Sequence, residues 1–272
     1  TIGDFPLQLP SSDGSFQRCL VIHQSQRRYH RFKTGKTNKE WHADFVNNIF
    51  TSREEYKRYI REFEEGETAR LWDEGLRQLR QLFDDDASYG VDIEYAKDYY
   101  AIVREMEPAT VVETGVCNGI STLAILIAIK ENKSGTLYSI DYPLRADESL
   151  DEFRSETFDG YGGAAIPSNK DPGWIIPEEI RSNWELIIGK SQRELPKIVS
   201  EINSFDIFIH DSEHSHPCMM FEFELAFEWI NKEGVIVADD ISWNTAFSTF
   251  TDVRDPAFGY ISNNIGYIQM KD

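Results

Sequence analysis

Residues 111–122 read VVETGVCNGIST, and this stretch decides the fold. An apolar, β-branched run ends at Glu113, glycines follow at positions 115 and 119, and residues 123–129 are apolar with good helix formers. This strand–turn–helix pattern is typical of a crossover that binds a nucleotide-like cofactor at the carboxyl end of a first parallel strand. Glycine suits the turn because it permits a positive φ and lets a ligand approach the backbone closely.

The spacing of the glycines separates two classes of cofactor. A dinucleotide fingerprint needs glycine at the first, third and sixth positions of G-x-G-x-x-G. Counting from Gly115, the third position is Cys117 and the sixth is Ile120. The stretch instead fits E-x-G-x-x-x-G, with Glu113 two residues before the first glycine. A nicotinamide oxidoreductase is therefore disfavoured. The alternative for this stretch is a β–α turn with two glycines that binds no ligand.

The rest of the chain divides into two parts. Residues 1–88 predict a polar, mostly helical extension, with a helix beginning near residues 51–55 and a second helix after Gly66. From residue 89 onward, short apolar runs alternate with helical patterns, which predicts an α/β domain over 89–272 with a parallel sheet. The predicted strands are residues 110–113, 136–141, 184–188, 205–211 and 235–239, with a terminal strand or hairpin in 259–270.

Composition limits the classes of partner. The formal net charge is −19, which disfavours nucleic acid and anionic membranes because both bind through Lys and Arg. Three cysteines without CxxC spacing predict neither a disulfide framework nor a zinc site. No membrane span or signal sequence is recognisable, so a cytoplasmic location is expected.

Carboxylates follow two neighbouring strands of the predicted sheet. Asp211 ends the fourth strand, and Asp239 and Asp240 follow the fifth. Parallel strands end at one edge of a sheet, so these three carboxylates should converge near Gly115 and repel one another unless a cation binds. Oxygen ligands without cysteine suit Mg²⁺, or Mn²⁺ or Ca²⁺, rather than Zn²⁺. The alternative is that these acids cap the following helices.

The glycine loop resembles motif I of the class I S-adenosylmethionine-dependent methyltransferases, with Cys117 in place of the middle glycine. Residues 205–241, with DSEHS and GVIVADDI, and residues 189–196 are similar to a branch that includes sugar and macrolide O-methyltransferases. The similarity covers about residues 89–272. It implies a Rossmann-like doubly wound, mainly parallel sheet with an antiparallel last strand.

The resemblance also implies roles for individual residues. In this family, an acid at the position of Asp141 binds the ribose of S-adenosylmethionine, and a segment like the one around Ser191 lies on the adenine side. In the branch, the residues at Asp211, Asp239 and Asp240 hold Mg²⁺, and the histidine at the position of His214 is the general base. The implied cofactor-binding residues are Glu113, Gly115, Gly119, Ser121, Asp141, Ser191 and Asp211.

Each role has an alternative. Asp141 can be a turn aspartate before Tyr142, and Ser191 can cap the following helix. Glu213 and His216 are rivals of His214 for the role of base. The loop between the second and third strands, residues 143–182, is expected to form a lid or an acceptor pocket.

These inferences together predict a Mg²⁺-dependent O-methyltransferase for a small hydroxylated acceptor, such as a sugar or a glycosylated metabolite. The alternatives are a metal-independent class I methyltransferase and a catalytically silent cofactor-binding or assembly protein. The extension over residues 1–88 is expected to be a candidate surface for homo-oligomerisation.

Overall fold

A computed structural model of the chain describes residues 35–82, 93–145 and 165–270. Their centre is a seven-stranded sheet in the order β5–β2–β1–β6–β7–β9–β8, with a separate two-stranded sheet of β3 and β4. The strands are β1 (Thr110–Thr114), β2 (Thr136–Asp141), β3 (Leu144–Arg145), β4 (Ala165–Ile166), β5 (Trp184–Ile188), β6 (Phe205–His210), β7 (Ile230–Ala238), β8 (Ala257–Tyr260) and β9 (Gly266–Gln269).

The strand pairing confirms the predicted fold class. Strands β5, β2, β1, β6 and β7 pair in parallel. Strand β9 is antiparallel to both of its neighbours, β7 and β8. The predicted terminal hairpin is therefore β8–β9, and its second strand inserts beside β7.

Helices cover both faces of the sheet. They are α1 (Asn38–Ile49), α2 (Arg53–Glu64), α3 (Gly66–Leu82), α4 (Ala96–Met106), α5 (Ile120–Asn132), α6 (Ser191–Ile202), α7 (His216–Trp229) and α8 (Ala246–Arg254). Short 3-10 turns precede α4 and β5, at Ile93–Tyr95 and Glu178–Asn183. No helix in the described ranges is both long and apolar enough to cross a bilayer.

Two hydrophobic clusters hold these layers together. Alternate side chains of a strand point to opposite faces, so Val111 joins one cluster and Val112 joins the other. The first cluster lies under α4 and α5, and the second lies under α6, α7 and α8. Strands β1 and β6 are buried on both faces over most of their length, which explains why they are apolar runs rather than alternating patterns.

The N-terminal helices share the first cluster. Ser52 accepts a hydrogen bond from the amide of Glu55 (3.1 Å), which confirms the predicted helix start near residues 51–55. Leu71 and Leu79 of α3 are fully buried together with α5. The hydroxyl of Tyr56 donates to the buried Asp98 of α4 (2.7 Å), which adds a polar link. The boundary near residue 88 lies outside the described residues and stays a prediction.

The segment after α7 differs from the sequence prediction. The sequence pattern predicts a helix over residues 219–230, which leads through the polar residues 232–234 into a strand over 235–239. Instead α7 ends at Trp229, and β7 begins at once with Ile230. The polar residues 232–234 lie within this strand beside a register shift against β6, and Glu233 has a φ of +66°. Such an irregularity lets polar residues stay in a strand without entering the core.

Candidate active site

The glycine loop lies between β1 and α5. Gly115 and Gly119 have φ values of +89° and +101°, which explains the glycine requirement. A Cβ on Gly115 would lie 1.9 Å from the carbonyl oxygen of Asp211, and one on Gly119 would lie 2.7 Å from Cα of Gly173. Close approach between protein segments therefore restricts both positions. Cys117 also has a positive φ, +49°, so the residue that departs from the family pattern adopts a left-handed conformation.

Glu113 lies beneath this loop and is fully buried. Its carboxylate accepts hydrogen bonds from the hydroxyls of Ser121 (2.8 Å), Thr122 (2.8 Å) and Ser139 (2.7 Å). Burial raises the pKa of Glu113 to about 7, although the three hydroxyls oppose this shift. Glu113 and Ser121, both predicted to bind the cofactor, thus bind each other and join β1 to the first turn of α5.

Asp141 ends β2 and contacts the same loop. Its Oδ2 accepts hydrogen bonds from the amides of Val116 (3.2 Å) and Cys117 (2.7 Å). Burial raises the pKa of Asp141 to about 6, although the backbone hydrogen bonds lower it. In this structure the side chain therefore holds the loop, as a turn-stabilising aspartate does, and its role with a ribose stays a prediction.

Ser191 lies at the other end of the cofactor side. It is the first residue of α6 and is 7% exposed. Its Oγ lies 3.8 Å from Sγ of Cys218, so the side chain faces α7. Beside it, the ammonium of Lys190 lies 5.4 Å from the ring centroid of Tyr142, at the carboxyl ends of β5 and β2.

The second group of predicted residues lies at the carboxyl ends of β6 and β7. The amide of Asp211 donates to the carbonyl of Thr114 (2.8 Å), and the amide of Asp239 donates to that of His210 (2.9 Å). Burial, followed by the charges of Asp239 and Asp240, raises the pKa of Asp211 well above its ordinary value. The three carboxylates therefore lie close enough in the folded chain for their negative charges to affect one another, as the sequence predicts.

His214 lies between two of these carboxylates. Its Nε2 is 3.6 Å from Oδ1 of Asp211 and 3.6 Å from Oδ2 of Asp240. The side-chain Nδ2 of Asn244 donates to the carbonyl of His214 (2.8 Å), and the indole of Trp243 packs against the imidazole with 5.0 Å between the ring centroids. The histidine ring is thus placed by neighbours on two sides.

The rivals of His214 have other positions. Glu213 accepts hydrogen bonds from Ser215 (2.6 Å) and Gln192 (3.2 Å), on the side of α6. His216 is the first residue of α7. Of the three, His214 is the one that the structure brings beside Asp211 and Asp240.

The metal prediction has less support than the convergence of acids. Within residues 35–82, 93–145 and 165–270, no three His, Cys, Asp or Glu side chains are arranged to hold a metal ion. Oδ1 of Asp239 accepts from the amide of Asp240 (2.8 Å), and Oδ1 of Asp240 accepts from Asn264 (2.5 Å). Asp240 has a φ of +51°, so it is not in a helix-capping conformation of the usual extended type.

Sequence reasoning missed two sets of buried partners. Glu222 of α7 accepts hydrogen bonds from Thr114, His210 and Ser212 at 2.6–2.7 Å. Burial alone raises the pKa of Glu222, but the charge and hydrogen bond of His210 lead a set of opposing contacts, and the net shift is downward. The proximity of His210 and Ser212 to Asp211 in the sequence was the available signal.

The second missed partner belongs to the 143–182 loop. Residues 146–164 of that loop lie outside the described residues, so the predicted lid is only partly visible. Trp174 donates from its indole to Oδ1 of Asn118 (2.8 Å), and the amide of Gly173 donates to the carbonyl of Cys117 (2.9 Å). The described end of the loop therefore packs on the glycine loop.

Comparison with known proteins agrees with this arrangement. Residues 112–241 match the family model of a methyltransferase domain. The fold is similar to that of the S-adenosylhomocysteine-bound methyltransferase PaMTH1 of Podospora anserina, at 14% identity and a TM-score of 0.52, over 81% of this chain and 97% of that one. It is also similar to the calicheamicin methyltransferase CalS11, at 12% identity and a TM-score of 0.50, over 86% of this chain and 92% of that one.

No curated protein matches the chain in sequence. The structural similarities are at low identity and concern the fold. The family match concerns the sequence, and it covers the region that contains the glycine loop, Asp141, Asp211 and Asp239. Residues 112–241 thus form a methyltransferase domain, and the chain has the Rossmann-like fold of methyltransferases of known structure.

Proposed function

We propose that the protein transfers a methyl group to a hydroxyl oxygen of a small acceptor, with His214 as the general base. The observation that carries this proposal is the position of His214 Nε2, 3.6 Å from a carboxylate oxygen of both Asp211 and Asp240. A neutral imidazole beside two carboxylates becomes a better proton acceptor, because the imidazolium that it forms is stabilised by both charges.

The glycine loop supports methyl transfer because its backbone is held in a defined conformation. S-adenosylmethionine supplies a methyl group that is already activated by its sulfonium. Gly115, Gly119 and Asp141 fix the loop at the carboxyl end of β1, next to the amino terminus of α5. The backbone of Asp211 contacts this loop directly, so the segment that carries His214 lies beside the loop at the same edge of the sheet. Such an edge can align an acceptor oxygen with a methyl donor.

For the acceptor, we propose a sugar or a glycosylated metabolite. This class rests on the similarity of residues 189–196 and 205–241 to sugar and macrolide O-methyltransferases. The structurally similar CalS11 is a calicheamicin methyltransferase.

We further propose that Asp211, Asp239 and Asp240 hold Mg²⁺. The donor chemistry fits, because carboxylate oxygens are the preferred ligands of this ion and their mutual repulsion favours a cation. When bound, the ion would lower the pKa of an acceptor hydroxyl. Asp211 and Asp240 already face a common point, the imidazole of His214, whereas a complete ligand set requires rotation of these side chains.

One observation also favours a metal-independent enzyme. The imidazole of His214 occupies the place between two carboxylates where a cation would relieve their repulsion. If His214 is protonated in the resting enzyme, it supplies that charge itself. The two mechanisms differ in whether activity needs a divalent ion.

A two-step experiment tests the function. Calorimetry with S-adenosylhomocysteine tests the donor site first, and tight NAD binding without binding of this product would contradict it. A panel of sugars and glycosides is then incubated with S-adenosylmethionine, and formation of S-adenosylhomocysteine is measured with Mg²⁺ and with EDTA. We expect His214→Ala to lower turnover at least about 100-fold while calorimetry shows unchanged product binding.

The outcomes separate the mechanisms. Loss of turnover in EDTA and in Asp240→Ala supports the magnesium proposal. Full activity in EDTA supports the metal-independent mechanism. Full activity of His214→Ala at neutral pH would show that another group is the base.

A further inference from the structure

Glu222 is a buried carboxylate that the proposed chemistry does not use. It lies on α7, is fully buried, and accepts hydrogen bonds from residues of two other segments of the chain. Its Oε2 accepts from Oγ1 of Thr114 (2.6 Å) and from Nδ1 of His210 (2.6 Å). Its Oε1 accepts from Oγ of Ser212 (2.7 Å). A buried charge of this kind persists only when several donors surround it.

The donors come from two parts of the candidate site, the glycine loop after β1 and the segment around Asp211. Thr114 is the last residue of β1 and immediately precedes Gly115 of the cofactor loop. His210 and Ser212 flank Asp211, the first acid of the acceptor side. Glu222 therefore joins the start of the cofactor loop to the segment that carries Asp211 and His214.

Two further contacts couple the same segments. The ring of His210 meets the ring of His214 edge to face, with centroids 5.3 Å apart and planes at 86°. The carbonyl of Asp211 lies where a Cβ of Gly115 would be, so the two segments touch through their backbones. A shift of either segment must therefore move the other or break the hydrogen bonds to Glu222.

We propose that Glu222 is a positioning residue that couples cofactor binding at residues 115–119 to the conformation of residues 211–216. The inference rests on the proposed function, because it takes S-adenosylmethionine or its product as the ligand of the loop. Glu222 touches no reacting atom in this account. It acts through Thr114 on one side and through His210 and Ser212 on the other.

The test is amide hydrogen exchange of the full chain with and without S-adenosylhomocysteine. In the wild type, we expect the ligand to slow exchange in both residues 115–119 and residues 211–216. In Glu222→Gln, an amide nitrogen replaces one carboxylate oxygen and faces a donor, so part of the network is lost. We expect residues 115–119 to keep their response, whereas the response of residues 211–216 falls at least about five-fold.

A matched control lies on the same helix. Glu224 pairs with Arg254 at the surface (2.8 Å), so Glu224→Gln removes the same charge from α7 without touching the buried network. Its exchange pattern should equal that of the wild type. Two milder variants, Thr114→Val and Ser212→Ala, each remove one donor and serve if Glu222→Gln fails to fold. Thr114→Ser keeps the hydroxyl and should restore the response lost in Thr114→Val.

The failures are distinguishable. If the wild type does not bind S-adenosylhomocysteine, the proposed function fails and this inference fails with it. If the wild type binds it but residues 211–216 do not respond, only the coupling is wrong. A full response of residues 211–216 in Glu222→Gln, or in both Thr114→Val and Ser212→Ala, would also overturn the coupling.

Discussion

The site has a cofactor side, which contains Glu113 and Asp141, and an acceptor side, which contains Asp211, Asp239 and Asp240. Both sides contain acids with little exposure, but the acids have different neighbours. On the cofactor side, Glu113 accepts from three hydroxyls and Asp141 accepts from two backbone amides. On the acceptor side, Asp211 lies within the fields of Asp239 and Asp240, and an imidazole stands between two of the three.

This difference separates a structural use of acids from a chemical one. Neutral donors around a carboxylate fix the shape of a loop and need no further ligand. Carboxylates that lie close together repel one another, and a bound cation or a proton relieves this repulsion. Glu113 and Asp141, which were predicted to bind the cofactor, hold the glycine loop in shape, whereas Asp211, Asp239 and Asp240 bring negative charges close together.

The contact between the two sides gives the largest expected effect. In Gly115→Ala, the new Cβ would overlap the carbonyl of Asp211 at 1.9 Å, in a residue whose φ is +89°. We expect a loss of about 4 kcal/mol or more in the free energy of unfolding and loss of S-adenosylhomocysteine binding. Urea unfolding and calorimetry measure the two effects.

Gly66 provides a matched control for that substitution. It also has a positive φ, +61°, but no atom lies within 4 Å of its Cβ position. Gly66→Ala should cost only about 1 kcal/mol, the conformational part of the effect. Equal losses in the two variants would show that the contact with Asp211 does not matter.

Glu113 tests the cofactor side through its pH dependence. Its pKa in the folded chain is raised from 4.5 to about 7, so its contribution to stability is full below about pH 4.5 and is lost as the pH rises through about 7. Glu113→Gln cannot ionise. We therefore expect the variant to gain about 3 kcal/mol relative to the wild type between about pH 4.5 and about pH 8.

Urea unfolding of both proteins across this pH range measures the difference. A constant difference at all pH values would mean that the three hydroxyls keep Glu113 ionised throughout. Glu113 would then be a charged acid, like the acids of the acceptor side, and the difference between the two sides would disappear.

Asp240 tests the acceptor side. Without divalent ions, Asp240→Asn should relieve the repulsion with Asp211 and raise the free energy of unfolding by about 2 kcal/mol. Asparagine also tolerates the φ of +51° at this position. Thermal unfolding in EDTA measures the change, and Asp252→Asn, at an exposed residue of α8, controls for the loss of one charge. Destabilisation instead would indicate that a protonated His214 already compensates both acids.

The smallest expected effect concerns the loop that packs on the glycine turn. Trp174→Phe removes the indole donor to Asn118 and keeps the aromatic packing. We expect S-adenosylhomocysteine affinity to fall about five-fold, or about 1 kcal/mol, because Asn118 loses one hydrogen bond. Calorimetry of Trp174→Phe, Asn118→Ala and the double variant should give no additional loss in the double variant. Additive losses would show that the two side chains act independently.

The sheet could be predicted from the sequence because each central strand is buried on both faces. Residues such as Val111 and Val112 must then both be apolar, and a run of this kind is visible without any tertiary information. The extent of β7 could not be predicted in the same way. Its first half contains Lys232 and Glu233, which are allowed there by an irregular register against β6.

The site divides similarly. The acids at the strand ends were visible because parallel strands end at one edge of a sheet. Which of them would accept neutral hydrogen bonds was not visible, because the donors to Glu113 include Ser139, which is 26 positions away. The same holds for Glu222, whose donor Thr114 is 108 positions away.

The sequence by itself determined the strand–turn–helix crossover, the order of acids along the chain and the positions that require glycine. These follow from local physics: hydrophobic runs, the left-handed backbone and the ends of strands. Only the tertiary structure decided which groups lie beside each acid. The pKa and the hydrogen bonds of a carboxylate depend on these neighbours, which come from distant parts of the chain. Glu113 and Asp211 are both acids at the carboxyl ends of apolar strands, and their different neighbours give them different chemistry.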